Sequence, residues 1–221
     1  MVTLTGSNLM IFNLLQDNMT ESLALELVEG FFKNHKHNPK RIDTKKLPSG
    51  KKAPDFEVND NSELKFYCEV KTPELKPNDQ TQMFHWTTTV SKLRDLIHKA
   101  VKQFKNQNPN HLKPWVLIFT SDHFQLNWAN FVHCLQGTVA YNSQIIKNLS
   151  NQRFVVDTED DVKAIDLFIW CQVNAQAKKI YQMVHFVNGN SDLLKETKAI
   201  SDKLIPYASE GITDKNSKKY A

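Results

Sequence analysis

Residues 54–72 read PDFEVNDNSELKFYCEVKT, and this stretch decides the fold. Within 64–72 every second residue is apolar, Phe66, Cys68 and Val70, while Glu69 and Lys71 fall between them. That period of two is the mark of a β-strand with one face in a core. Residues 55–58 alternate in the same way, with Phe56 and Val58 opposite Asp55 and Glu57. Asn59, Asp60, Asn61 and Ser62 supply turn chemistry between them, so the two strands form an antiparallel hairpin. If Val58 lies across from Phe66 and Phe56 from Cys68, Asp55 lies across from Glu69, with about five residues left for the connection. Both apolar rows then face the core, and Asp55, Glu69 and Lys71 share the opposite, exposed side of the hairpin.

Outward from the hairpin, residues 18–33 read as a helix. Asn18 and Glu21 have capping-box spacing, Leu23, Ala24, Leu27, Val28 and Phe31 form one face, and Gly30 signals an end near Phe32 or Asn34. The basic segment that follows carries Pro39, Pro48 and Gly50 and is mostly loop, with one short strand expected over 41–44. After the hairpin, Val90, Leu93, Ile97, Ala100, Val101 and Phe104 predict a helix over 88–105, and 115–120 is a continuous apolar run suited to a buried strand. A helix, strands, a helix and a strand are therefore complete by residue 120. Beyond it, a helix is expected at 128–135, strands at 167–173 and 182–187, and a polar helix at 191–204, with the last dozen residues frayed. The expected fold class is α/β: a core over 1–120 with a mixed sheet flanked by helices, and an α+β extension over 121–221 packed on it in the same domain.

With 221 residues, 40% hydrophobic and 24% charged, the chain has the composition of an ordinary globular protein. No apolar run nears the roughly 20 residues that span a bilayer, and residues 9–15 lack the flanks of a signal peptide. Cys68, Cys134 and Cys171 stand singly, as reduced thiols of a cytoplasmic protein would. The net charge of +4 is unevenly spread. Lys33, Lys36, Lys40, Arg41, Lys45, Lys46, Lys51 and Lys52 crowd one stretch, and Lys92, Arg94, Lys99, Lys102 and Lys105 another. Clustered cations attract polyanions, of which nucleic-acid backbones are the commonest.

Two carboxylates on one strand face repel each other unless a cation lies between them. Oxygen ligands with open positions for water suit Mg²⁺, or Mn²⁺ in its place, and the backbone carbonyl of Val70 is a further candidate ligand. Such an ion polarises a phosphoryl oxygen and lowers the pKa of a bound water. Lys71 could orient or deprotonate that water and offset charge building on phosphorus. Together these are the parts of in-line phosphodiester hydrolysis.

Pro54-Asp55, followed by an apolar strand that ends in Glu69-Val70-Lys71, resembles the PD-(D/E)XK nuclease superfamily, with its restriction-endonuclease-like core of helix, three strands, helix and strand. The resemblance implies metal-dependent cleavage of DNA, less often RNA, with Asp55 and Glu69 as ligands and Lys71 as the catalytic lysine. It also implies an acidic residue from the first helix, matched by Glu21 or alternatively Glu26, and a lysine or glutamine on the second, matched by Lys99 and Gln103. Many members act as homodimers, and some keep the fold and bind nucleic acid without cutting. An acid-x-Lys triplet alone means little, since Asp43-Thr44-Lys45, Glu63-Leu64-Lys65, Glu74-Leu75-Lys76, Asp161-Val162-Lys163 and Glu196-Thr197-Lys198 share it. Context singles out Glu69. An enzyme of mononucleotides, such as a phosphatase, would gain little from the long basic segment.

Elsewhere, His35-Lys36-His37 suits a phosphate contact or plain surface, because neighbouring cations disfavour a metal. His85 and Trp86 could stack on bases, with core packing the better reading of Trp86. Asp157, Glu159, Asp160 and Asp161 read as a loop entering a helix or strand, and Cys134 beside His133 as a buried thiol. Six glycines and no glycine-rich phosphate loop argue against a nucleotide-binding fold.

Overall fold

The computed structural model describes residues 19–43, 45, 47–74, 86–123, 126–141 and 144–205. Helix α1 (Glu21–Asn34) buries Ala24, Val28, Phe31 and Phe32, and the Thr20 side chain caps it by accepting from the Leu23 N–H at 3.2 Å. Asn18, expected as the cap, lies outside the described residues. Strand β1 (Asn38–Arg41) begins earlier than the 41–44 expected, and it pairs antiparallel with β2 (Phe56–Asp60).

Strand β2 pairs antiparallel with β3 (Glu63–Lys71), with Phe56 opposite Cys68 and Val58 opposite Phe66, the register that the alternation requires. The connection is tighter than expected. Asn61 (φ 48°) and Ser62 (φ 69°) turn the chain in two residues, a left-handed pair suited to the twist of a hairpin. A register shift between Val58 and Asn59 absorbs the remaining slack.

Helix α2 (Trp86–Gln107) then crosses to β4 (Trp115–Ser121), which runs parallel to β3. The later chain adds α3 (Trp128–Leu135), a separate hairpin of β5 (Thr138–Tyr141) and β6 (Gln144–Asn148), the short helices α4 (Arg153–Val156) and α5 (Glu159–Ala164), strands β7 (Leu167–Asn174) and β8 (Lys179–Val187), and α6 (Leu194–Leu204). The hairpin is not legible because TVAY and QIIKN lack an apolar–polar alternation, and α4 because it is a single turn. The acidic run becomes the first turn of α5, where negative charge faces the positive end of the helix.

Six strands form one mixed sheet in the order β1-β2-β3-β4-β7-β8, with β3, β4 and β7 parallel. One face packs Phe56, Phe66, Cys68, Val70, Ile118 and Ile169 against α1 and α6. The other packs Tyr67, Leu117, Phe119 and Trp170 against α2 and α3. Strands covered on both sides must be apolar on both sides, which explains the unbroken runs of β4 and β7. No helix among the described residues is long and apolar enough to cross a membrane.

Arg94, counted among the surface cations from sequence, is fully buried. Its guanidinium donates to the carbonyls of Cys134 (3.1 Å), Val155 (3.0 Å) and Leu135 (2.7 Å) and to the Thr158 hydroxyl (3.1 Å), riveting α2 to α3 and α4. Cys134 is a buried thiol beside it, and burial pushes its pKa up to about 12. Arg94→Met, close in volume, removes all four of these hydrogen bonds, with only the Cys134 and Val155 carbonyls keeping a backbone donor, from Gly137 and Thr158. Urea unfolding should show a loss of about 3–5 kcal/mol; a loss under about 1 kcal/mol would mean that the guanidinium holds nothing together.

Candidate functional site

The C-terminal ends of β3, β4 and β7 share one edge of the sheet, the edge at which open α/β sheets usually bind ligands. Strand β2 runs the other way, so Asp55, the residue before it, arrives at this same edge. Its carboxylate accepts from the Val70 N–H at 2.8 Å, which fixes it beside Glu69. Lys71 donates to Glu69 Oε1 and, at 2.9 Å, to Gln103 Oε1. Gln103 in turn donates to the Ala53 carbonyl at 2.9 Å, and Asn106, three residues on, to that of Lys52 at 2.8 Å. Helix α2 thus clasps the strand that delivers Asp55. Asp55, Glu69, Lys71 and Gln103, separated by up to 48 positions in the sequence, meet in one place.

One expectation fails. Glu69 does not stand on an exposed face: it is 2% exposed, because the side of β3 that carries Tyr67, Glu69 and Lys71 is roofed by α2. Its Oε2 has no hydrogen-bond partner among the described residues. Burial first, and the charge of Asp55 second, push its carboxyl up to about 8, against the opposing pull of Lys71. Burial raises Asp55 as well, opposed by the Val70 N–H and by Lys71.

The two acidic candidates of α1 now separate. Glu21 is exposed at the start of α1, close enough for its charge to raise the Asp55 pKa further. Glu26 instead lines a groove on α1 and β8 together with Ile180 and Met183. No group of three His, Cys, Asp or Glu side chains poised to hold a metal occurs among the described residues.

The cations divide too. Lys45, Lys51 and Lys52 are exposed on the approach to Asp55, and Lys102 is exposed on α2. Lys99, one turn before Gln103, pairs with Asp95 at 2.6 Å on the surface. Lys46 and His85 lie outside the described residues. His37 is buried against Phe66, not a surface group, while His35 donates to the Phe31 carbonyl at 2.8 Å. Trp86 packs against the core on the α2 side.

Sequence reasoning missed Asp122. It follows β4, and its carboxylate accepts from the Met19 N–H at 3.0 Å, tying the entry of α1 to the site edge. Only its place just after an apolar strand could have flagged it. No protein-family model, no curated protein and no solved structure matches the chain.

A raised carboxyl pKa has a fixed consequence for stability. Between about 4.5 and 8 the folded chain holds a proton on Glu69 that the unfolded chain releases. Stability therefore falls as pH rises through that window and levels off above it. With chelator present, Glu69→Gln should remove this dependence, gaining on the order of 3–4 kcal/mol over the native chain between pH 5 and 8. Parallel stability curves for the two proteins across that range would show Glu69 to be ionised and well solvated.

Proposed function

We propose that the chain is a metal-dependent nuclease that hydrolyses phosphodiester bonds of nucleic acid, a DNA endonuclease built on a restriction-endonuclease-like core. The single observation that carries this reading is the half-buried Asp55 beside the buried Glu69, with Lys71 hydrogen-bonded to Glu69. Two ionised carboxylates and one ammonium would leave an excess negative charge in a poorly solvated place, and Glu69 Oε2 has no hydrogen-bond partner among the described residues. Buried anions are normally neutralised, paired or bound to a metal. The donor set suits a hard divalent cation: Asp55, Glu69 and the Val70 carbonyl would hold Mg²⁺ or Mn²⁺, with Glu21 at the rim available through water. When bound, such an ion polarises a phosphoryl oxygen and acidifies a water.

The chain's own groups supply the rest. An ammonium has three N–H donors, and Lys71 spends two on Glu69 and Gln103. The third is left for a phosphoryl oxygen, where it offsets charge building in the transition state. Gln103 holds Lys71 and is itself held by the Ala53 carbonyl, so the ammonium is positioned before substrate arrives. Lys45, Lys51 and Lys52, exposed on the segment that leads to Asp55, and Lys102, exposed on α2, are the cations offered to the backbone of the polyanion. The order of α1, β1–β3, α2 and β4 is compatible with the core named above.

The test is incubation with plasmid, linear and single-stranded DNA and with RNA, each with Mg²⁺, Mn²⁺ or chelator. Cleavage should need the metal and should fall at least about 100-fold in Lys71→Ala, with thermal stability and binding kept. Activity that survives both Lys71→Ala and Asp55→Ala would sink the reading. Binding without cleavage under every condition would favour a nucleic-acid-binding protein that retains the fold.

A further inference from the structure

The same edge of the sheet carries a second concavity. A cavity of about 310 Å³ opens between the start of α3 and the start of β8, lined by Asn127, Trp128, Ala129, Gln172, Tyr181 and Gln182. Trp128 is anchored, its ring packed in part against the core. Tyr181 is 59% exposed, on an edge strand, where a large apolar ring is normally buried or blunted.

The other walls are rigid. Gln172 donates to the carbonyls of Ser121 (3.0 Å) and His123 (3.1 Å) and accepts from Trp170 Nε1 at 3.1 Å. Its amide is thus spent on the fold. Asn127 Oδ1 caps α3, accepting from the N–H groups of Ala129 (3.1 Å) and Asn130 (3.2 Å). A ligand there meets two ring surfaces, the exposed amide of Gln182 and the Nδ2 group of Asn127. Lys178 and Lys179, at the turn between β7 and β8, stand exposed beside Tyr181.

We infer that Trp128 and Tyr181 form a stacking subsite for an unpaired base of a single-stranded polynucleotide, whose backbone runs past Lys178 and Lys179 towards Asp55 and Glu69. Flat apolar rings beside surface cations are the usual means of holding unpaired strands without reading sequence. A duplex keeps its base faces stacked inside, so an unpaired strand is the form that offers them. The spacing suits one continuous strand. Strand β8 lies three places from β3 in the sheet, roughly 14 Å at about 4.8 Å per strand. That is about four nucleotides at the stacked rise of about 3.4 Å, and fewer where the strand is stretched. The inference rests on the nuclease reading for the far end of this path but not for the subsite itself.

The experiment is binding of fluorescein-labelled oligothymidylate, oligouridylate, an abasic oligonucleotide of the same length and a duplex, all in chelator. Tyr181→Ala should weaken oligothymidylate or oligouridylate binding roughly 5- to 100-fold, the range for one lost base–aromatic stack, while Tyr181→Phe should bind like the native chain. The abasic strand should bind weakly and ignore the Tyr181→Ala change. Lys178→Ala should lower the slope of log affinity against log salt by about 0.7, a change that Tyr181→Ala should not produce.

Equal affinity of the native chain and Tyr181→Ala for both single strands would overturn the subsite, as would an absence of any single-strand binding. Loss of melting temperature in Tyr181→Ala that matches its loss of affinity would do the same. Binding that depends on Tyr181 without cleavage in any metal keeps the subsite and removes the nuclease reading. Cleavage of single strands at an undiminished rate and affinity in Tyr181→Ala does the reverse.

Discussion

Helices cover both faces of β3, β4 and β7, and the rest of the structure follows from that constraint. A strand in such a position has no solvent side, so a charged residue on it is either buried or at an end. Glu69 is two residues from the end of β3 and is buried. Its environment is accordingly set by α2, whose Gln103 holds Lys71 in place, more than by the hairpin that carries it. The same double cover makes Arg94 an internal rivet and keeps all three cysteines as packed thiols. A basic residue and an acidic one, both read from sequence as surface charges, are buried.

Much of this was legible because hydrophobic periodicity is a direct record of burial. Phe56 and Val58 against Cys68 and Phe66 can sit on one face only in one register, and the chain adopts it. The face of α2 could be read from Val90 to Phe104 for the same reason. What alternation cannot record is the cover on the opposite face. Tyr67, Glu69 and Lys71 look like a solvent row, since Glu and Lys usually are solvated. That they lie beneath a helix depends on a crossover whose course no local pattern encodes. The β5–β6 hairpin left no trace for a simpler reason, since neither TVAY nor QIIKN alternates apolar with polar residues, and α4 is a single turn.

Of the site, the placement of Asp55 beside Glu69 was legible from the pleat, and a place for Gln103 near the site was implied only by the family resemblance, its contact with Lys71 being seen in the structure alone. The clasp of Gln103 and Asn106 on the carbonyls of Ala53 and Lys52 was not legible, because a side chain's backbone partner leaves no trace in composition. Its effect is nonetheless large. Residues 51–54 have little regular structure of their own, and these two amides hold the path that sets Asp55 at the strand edge. The distinction between Glu21 and Glu26 likewise required the fold. Both lie on the first helix, but one turn and a half separates their directions, and only Glu21 acts on Asp55.

The electrostatics of the pair explain why one oxygen matters most. Lys71 neutralises a single carboxylate, and the Val70 N–H offers Asp55 a dipole and not a charge. The pair carries one negative charge more than Lys71 can balance, and burial first, with Asp55 beside it, pushes the Glu69 carboxyl up to about 8, its Oε2 having no hydrogen-bond partner among the described residues. A proton relieves that surplus, and so would a divalent cation on the proposed reading, at the same atom. A protein selected for stability alone would place glutamine or an apolar residue here, as replacement of buried charges is often neutral or stabilising. Retention of an ionisable group in so poorly solvated a position is the pattern expected where function, not folding, sets the residue.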